Sequence, residues 1–587
     1  MRTGPGPDHV RSRHDTRKVG HPMRVLGVNA IYHDPSAALV IDGEVVAAAE
    51  EERFSRRKHG KRPVPFSAWE LPELSMRWCL EQAGLTPADV DVVAYSFDPE
   101  LSKSAEDLGL HDPWDHLRTT YAQNVGGFLR SALPGIEHAR LHHVPHHVAH
   151  AASAALASPF PTSSVLVLDG RGERASHLAG RYEDGRIEVF TTQELPHSLG
   201  LLYESLTEHL GFLRASDEYK VMALASYGQP RFLEQLREHV YATDDGGFVA
   251  EIPDWTRFAP VRVDDGTWGG DHADLASSVQ VRLEEVLVDL ARRLHERTGD
   301  RVLTMAGGIA LNCVANSRVW RESGFDEVWV QPAAGDAGTS LGAALQAAAE
   351  LGEHVRPMPG ADLGRAWSDD ELAQRLRTAR VPFTTPAPEA FAGEVADVLA
   401  SNGVIAWFDG RSEFGPRALG HRSLLAHPGH SENLERMNDV KGREQFRPVA
   451  PMVLLDRAPE IFSEGPIPSP YMLFVHRVAD EWRDRIPAAV HVDGTARIQT
   501  VDPGTQPRLG ATIEAFAERT GLPVVINTSL NTAGRPMVDD PRDALELFGS
   551  APVDLLVLGP HLVRRTDVFA AGGPAGDGRP AGDGRAA

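Results

Sequence analysis

Short apolar runs, closed off by Gly, Asp and Pro, set the rhythm of the first half of the chain. "MRVLGVNA" (23–30) reads as a buried strand, and a turn at "HDPS" follows it. "AALVIDGEVVAAAEEERF" then holds two strands joined by Asp42-Gly43, a strong hairpin signal. The same order returns in "SSVLVLDGRGERASHLAGRYEDGRIEVF" (163–190). Here a strand, an Asp-Gly-x-Gly turn, a strand, an Asp184-Gly185 turn and a strand succeed one another. Two copies of a strand–turn–strand–turn–strand module, from Arg24 and from Ser164, predict two related α/β subdomains with a cleft between them.

Longer periods follow. In "ADLASSVQVRLEEVLVDLARRLHERTG" (273–299) apolar residues recur at three- and four-residue steps, which predicts an amphipathic helix. "RVLTMAGGIALNCVANSRV" and "VWVQPAAGDAGTSLGAALQAA" each run strand, Gly-rich turn, helix. Such strand ends suit phosphate approach, because backbone N–H groups at a helix start attract anions. Pro and Gly cluster in "HVRPMPGADLG" (354–364), and the pattern then changes. "GVIAWFDG", "HRSLLAHP", "FRPVAPMVLL", "TARIQTV" and "LPVVINTSL" are strand-like, with few helices expected between them. The organisation predicted is one α/β domain over 23–363 and a second, mixed α/β domain over 364–566.

The ends read differently. Residues 1–22 are basic but lack a hydrophobic segment, so they are no secretory signal. They are expected to be a disordered lead-in, or an over-assigned start upstream of Met23. Residues 567–587 repeat "PAGDGR" and are too poor in apolar side chains to order.

Composition narrows the classes. A chain of 587 residues is too long for one core. Its net charge of -23 argues against a general nucleic-acid binder. No apolar run approaches the ~20 residues that span a bilayer, so no membrane partner is expected. Two cysteines, Cys79 and Cys313, form no disulfide framework and fit a reducing, cytoplasmic compartment.

Two constellations carry candidate chemistry. "LHHVPHHVAHAASAA" (141–155) places five histidines ahead of a run of small residues. His146 and His150 share a helix face and can hold one metal, with Asp336 of "GDAG" as the best third ligand. Such a set suits iron or zinc. The other reading is a solvated start to a closely packed helix. The second constellation gathers Arg417, Arg422, Lys441, Arg443 and Arg447, then Arg497, Asn527, Ser529, Asn531 and Arg535, on loops punctuated by Gly, Pro and Asn. Arginine forks match phosphate oxygens. The alternative is surface pairing with the surplus acids.

These motifs together resemble the O-carbamoyltransferases of antibiotic and nodulation-factor biosynthesis. The resemblance runs from about Arg24 to Arg564. It is carried by "HDPSAALVIDG", "EEERFSRRKHG", "HHVAHAASA", "LDGRGE", "DEYKVMALASYG", "GGIALN", "GDAGTSLGAAL", "EFGPRALGHRS", "FRPVAPM", "ARIQTV" and "NTSLN". It implies an N-terminal actin/Hsp70-like fold, a duplicated ribonuclease-H-like domain, and a C-terminal YrdC-like mixed α/β domain similar to the threonylcarbamoyl-adenylate synthases. It implies two steps. The C-terminal domain makes carbamoyl-adenylate from carbamoyl phosphate and ATP, with Mg accompanying the nucleotide. The N-terminal domain transfers the carbamoyl group to a hydroxyl of a small natural-product acceptor.

The resemblance also implies roles. Arg417, Lys441 and Arg447 would act on the phosphates, and Arg497, Asn527 and Ser529 would bind them. Gly307, Gly308 and Asn312 would meet the nucleotide, and one acid of the Asp217, Glu218, Lys220 element its ribose. His146, His150 and Asp336 would ligate the metal, iron first and zinc second. His33 is expected as general base, with Asp34 orienting it. Arg535 and Arg171 depart from the family pattern. The segment 96–131, which matches no motif, is expected to set acceptor specificity. The same folds leave open a tRNA-modifying enzyme, a sugar kinase or a non-catalytic nucleotide sensor.

Overall fold

The computed structural model describes residues 22–60, 70–110, 112, 115–263 and 269–570. The two repeated modules form two sheets of one design. In the first, β1 (Arg24–Asn29), β2 (Ser36–Ile41), β3 (Glu44–Glu50), β4 (Val92–Tyr95) and β5 (Arg140–His143) stand in the order β3-β2-β1-β4-β5. In the second, β6 (Thr162–Leu168), β7 (Ala175–Glu183), β8 (Arg186–Glu194), β9 (Val302–Ala306) and β10 (Glu327–Val330) stand in the order β8-β7-β6-β9-β10. Each has three antiparallel strands followed by two parallel ones. The two hairpin turns match as well. Asp42 and Asp184 have φ of 49°, and Gly43 and Gly185 have φ of 76° and 80°, the twist a two-residue hairpin needs. This is the duplicated, actin-like arrangement expected.

Six helices of this half bear on the site: α1 (His146–Ala155), α2 (Leu199–His209), α3 (Glu218–Ala225), α4 (Gly270–Thr298), α5 (Cys313–Glu322) and α6 (Ala337–Glu350). α1 and α6 lie between the two sheets and share one core with strand residues such as Val25, Val92, Val165 and Val167. They touch backbone to backbone. A Cβ on Gly342 would come within 1.8 Å of the Ala149 carbonyl oxygen, so only glycine fits there. The alanine run of α1 therefore serves packing, and the histidines at its start are buried, not solvated.

The second half is built on a seven-stranded sheet, beside a small three-stranded one formed by Phe462–Ser463, His476–Val478 and Thr495–Ala496. The strands of the larger sheet are β11 (Ile405–Phe408), β12 (Arg422–Ala426), β13 (Ala450–Leu454), β14 (Gln499–Val501), β15 (Val524–Ser529), β16 (Leu555–Leu558) and β17 (His561–Arg564), in the order β14-β13-β15-β12-β11-β16-β17. Helices are more frequent here than the sequence pattern suggested. α7 (Asp369–Ala379), α8 (Pro388–Ala400), α9 (Glu432–Lys441), α10 (Pro507–Thr520) and α11 (Pro541–Ser550) flank the strands. Ser368 and Glu371 form a capping box at α7, and Pro opens α8, α10 and α11. Phe391, Val395 and Leu399 of α8 pack with Leu509, Ile513 and Phe516 of α10 in the core beneath the sheet.

The halves are joined through the loop 413–420. Phe414 is buried in the α1/α6 core. The Gly415 N–H donates to Glu50 Oε1 at 2.7 Å, and Arg53 donates to the Gly415 carbonyl at 2.7 Å. The expected lead-in and most of the expected tail lie outside the described residues, although a helix at Arg565–Ala570 runs past residue 566. No helix among the described residues is long and apolar enough to cross a membrane.

Candidate active site

Three chain segments end at one buried point. β6 stops at Leu168 and delivers Asp169. The first turn of α1 presents His146 and His150 on one face, and Asp336 precedes α6. His146 Nε2 lies 3.6 Å from an oxygen of Asp169 and 3.6 Å from Asp336. His150 Nε2 lies 3.9 Å and 3.5 Å from the same two carboxylates. Neither Nε2 has a hydrogen-bond partner, although both are buried. Burial opposes charge on His146 and Asp336. The two carboxylates nevertheless hold His146 well above the usual histidine range, and the imidazoles hold Asp336 well below the carboxylate range. Two imidazoles and two carboxylates aimed at one point could hold a metal ion.

Neighbouring backbone fixes the cluster. Asp336 accepts from the His33 N–H at 3.0 Å, and Asp169 accepts from the Gly308 N–H at 2.8 Å. Gly307 has φ of 93°, and a Cβ there would meet the Leu168 carbonyl at 2.0 Å, so the bend that presents Gly308 requires glycine. Glu173 accepts from the His146 N–H at 2.8 Å.

A cavity of about 290 Å³ opens from Asp169 and Asp336. Its walls include Gly308, Asn312, Glu218, His33, His59 and Arg417. Of the "DEYK" acids, Glu218 lines it, with burial pushing its carboxyl up to about 7. Asp217 instead pairs with Lys220 at 3.1 Å, and Lys220 reaches across to Glu444 at 2.8 Å. Asn312 caps α5 and exchanges side-chain hydrogen bonds with Gln280. Asp34 does not orient His33. Its carboxylate lies 2.9 Å from His59 Nδ1, and among the described residues no hydrogen bond reaches the His33 ring. The tight turn after β1 carries Asp34 past His33 toward the "KHG" segment, where His59 meets it.

From Arg417 a row of cations leads away from the cavity. Burial, then Arg497 and Arg447, push Arg417 down to about 9. Burial, then Arg447 and Arg497, do the same to Arg443. Lys441 is buried, falls well below the usual lysine range through burial, Arg443 and Arg447, and donates to Ser529 at 2.7 Å and to Asn531. The buried Nε atoms of Arg417 and Arg497 lack partners. Such mutual repulsion is tolerated where an anion belongs. Asn527 bonds the Ala418 carbonyl at 2.9 Å and so steadies the loop of Arg417. Arg535 is a surface residue paired with Glu546, and Arg171 pairs with Asp112 and Asp115. Arg422 is buried and bonds backbone carbonyls of its own half.

A carbamoyltransferase N-terminus family model matches residues 24–345, and a carbamoyltransferase C-terminus model matches residues 396–565. The chain belongs to the carbamoyltransferase family. The nodulation protein NolNO of Sinorhizobium fredii is 37% identical, over 92% of this chain and 80% of its own. An uncharacterized protein of Synechocystis, sll1178, is 35% identical over 92% and 97%. Among solved structures, HypF of T. kodakarensis matches 58% of this chain and 50% of its own, with 13% identity and a TM-score of 0.37.

In this carbamoyltransferase the structure brings His146, His150 and Asp336 together and adds Asp169, which the Asp-Gly-x-Gly turn had accounted for without any ligand role. It adds His59 and Ser216 to the cavity wall, and no local spacing could have paired residues 157 positions apart.

Proposed function

We propose that this enzyme makes carbamoyl-adenylate from carbamoyl phosphate and ATP, and then transfers the carbamoyl group to a hydroxyl of a small natural-product acceptor. One observation carries the reading. A row of cations, met by an internal carboxylate among the described residues only where Arg447 faces Glu444, begins at Arg417, and Arg417 lines the same cavity as Asp169 and Asp336 of the buried His₂Asp₂ cluster, one supplied by each half of the chain. Both substrates of the first step are polyanions, ATP bringing its Mg²⁺ with it. Arg417, Arg443, Arg447, Arg497 and Lys441 offer forks and a point charge to hold them while water splits carbamoyl phosphate into carbamate and phosphate and the carbamate oxygen displaces pyrophosphate from the α-phosphate. Ser529 and Asn531 fix the Lys441 ammonium in that row. The adenylate then lies toward Gly308 and Glu218. Glu218, which lines the cavity while Asp217 pairs with Lys220, would take the ribose hydroxyls.

His146, His150, Asp169 and Asp336 would hold a metal ion, iron or zinc by donor type, which would serve as a Lewis acid toward a phosphate oxygen. The proton of the acceptor hydroxyl goes to an imidazole of the His33–His59 wall. To test the reading, ATP turnover is followed with and without carbamoyl phosphate. The expected result is pyrophosphate release that requires carbamoyl phosphate; ADP formation that ignores it would reject the proposal.

A further inference from the structure

One wall of the cavity carries a hydrogen-bonded line. Asp34 Oδ1 lies 2.9 Å from His59 Nδ1, and His59 Nε2 lies 2.7 Å from Ser216 Oγ. All three residues face the cavity that Asp169 and Asp336 floor. The line is held against backbone strain. Asp34, His59 and Ala215 have φ of 44°, 60° and 58°, a region non-glycine residues avoid. Asn29 pins the Asp34 turn by donating to the His33 and Asp34 carbonyls at 2.7 and 3.1 Å. Glu52 pins His59 by accepting from its N–H at 2.8 Å. Asn29 and Glu52 thus hold Asp34 and His59 in left-handed backbone, with Ala215 in the same region beside Ser216, and keep the line in register.

The roles follow from the bonding. A carboxylate accepts, so Asp34 sets the His59 proton on Nδ1 and leaves the Nε2 lone pair facing Ser216. Burial weakens His59 as a base, and Asp34 more than restores it. A cation held by His33, Asp34 and His59 is the competing use, since their ligand atoms also converge. Both nitrogens of His59 are already engaged, however, so the trio falls a ligand short.

We propose that His59 is the catalytic base of the transfer step, Asp34 its positioning residue, and Ser216 the hydroxyl that occupies the acceptor's place until the acceptor arrives. The proposal rests on the carbamoyl-adenylate reading. The acceptor oxygen bonds to the carbamoyl carbon, the bond from that carbon to the phosphate oxygen breaks, and AMP leaves with the electron pair. The hydroxyl proton passes to His59 Nε2, and the resulting imidazolium faces Asp34.

The test supplies the full-length enzyme with ATP and carbamoyl phosphate and uses two probe nucleophiles. Ethylene glycol needs a base to lose its proton, and hydroxylamine does not. AMP release is scaled to pyrophosphate released by the same variant, so partial misfolding cancels. With glycol, His59→Ala and His59→Gln are expected to lose about 100-fold, the usual worth of a general base. With hydroxylamine they should recover to within about threefold of wild type, and Asp34→Asn should show the same split. Ser216→Ala, which empties the acceptor's place, should lower the KM for glycol. The proposal fails if the His59 variants fall equally with both probes or with neither. It fails too if wild type cannot use glycol. A dead Ser216→Ala, with a carbamoyl adduct on Ser216 in wild type, would make that serine a nucleophile and overturn it as well. Pyrophosphate release from wild type that ignores carbamoyl phosphate would sink the adenylate reading instead.

Discussion

Asp169 and Asp336 face the same two imidazoles, yet only Asp336 stands out in the sequence. Asp-Gly-x-Gly is sufficient turn chemistry, so nothing local sets Asp169 apart as a ligand. Its contribution is testable. Asp169→Asn keeps the shape and removes the charge, and it should lower the metal content of purified protein by about tenfold or more, read by elemental analysis. Unchanged content would remove Asp169 from the site. Glu218 offers a second residue-level test. Its folded pKa of about 7 exceeds the ordinary 4.5, so the native state holds this proton more tightly than the unfolded chain. Its stabilising share is complete below about pH 4.5 and is lost as pH rises through about 7. Glu218→Gln should therefore match wild type in thermal unfolding near pH 5. At pH 8 it should exceed wild type by about 1–2 kcal/mol, allowing for partial exposure. His33 and His59 mark the limit of sequence reading at this scale. The imidazole beside Asp34 in sequence is not the one its carboxylate meets in space.

Elements were legible where pattern and packing agree. The Asp-Gly hairpins of both modules, the long α4 and the Gly-rich strand ends all appear as expected, because turn residues and period-3.6 faces are local signals. Helices α7 to α11 exceed the few that the strand-like pattern predicts. They alternate with strands over short distances. The α1/α6 pair positions three of the four cluster ligands, and its close contact depends on Gly342. Gly342→Ala should force α1 away from α6, cost about 1–3 kcal/mol or more in thermal unfolding, and lower metal content together with stability. Wild-type stability with a full metal load would show that the contact is not needed.

At the scale of the whole molecule, the acidic chain gathers Arg417, Lys441, Arg443, Arg447 and Arg497 on one route that starts at the cavity. That concentration suits small anionic substrates better than a nucleic-acid surface. The route depends on the loop 413–420 staying seated in the N-terminal core. Phe414→Ala should cost about 3–5 kcal/mol in unfolding, since it empties a site where both halves meet. The family relationship was readable from motif order alone, whereas the seating of this loop against Glu50 and Arg53 needed the three-dimensional arrangement. The most direct measurement of the two-step chemistry is to mix enzyme, ATP and ¹³C-labelled carbamoyl phosphate without acceptor, quench, and identify the bound nucleotide by mass spectrometry. ¹³C-carbamoyl-adenylate retained on the protein is the expected result. ADP, or AMP carrying no label at any quench time, would contradict it.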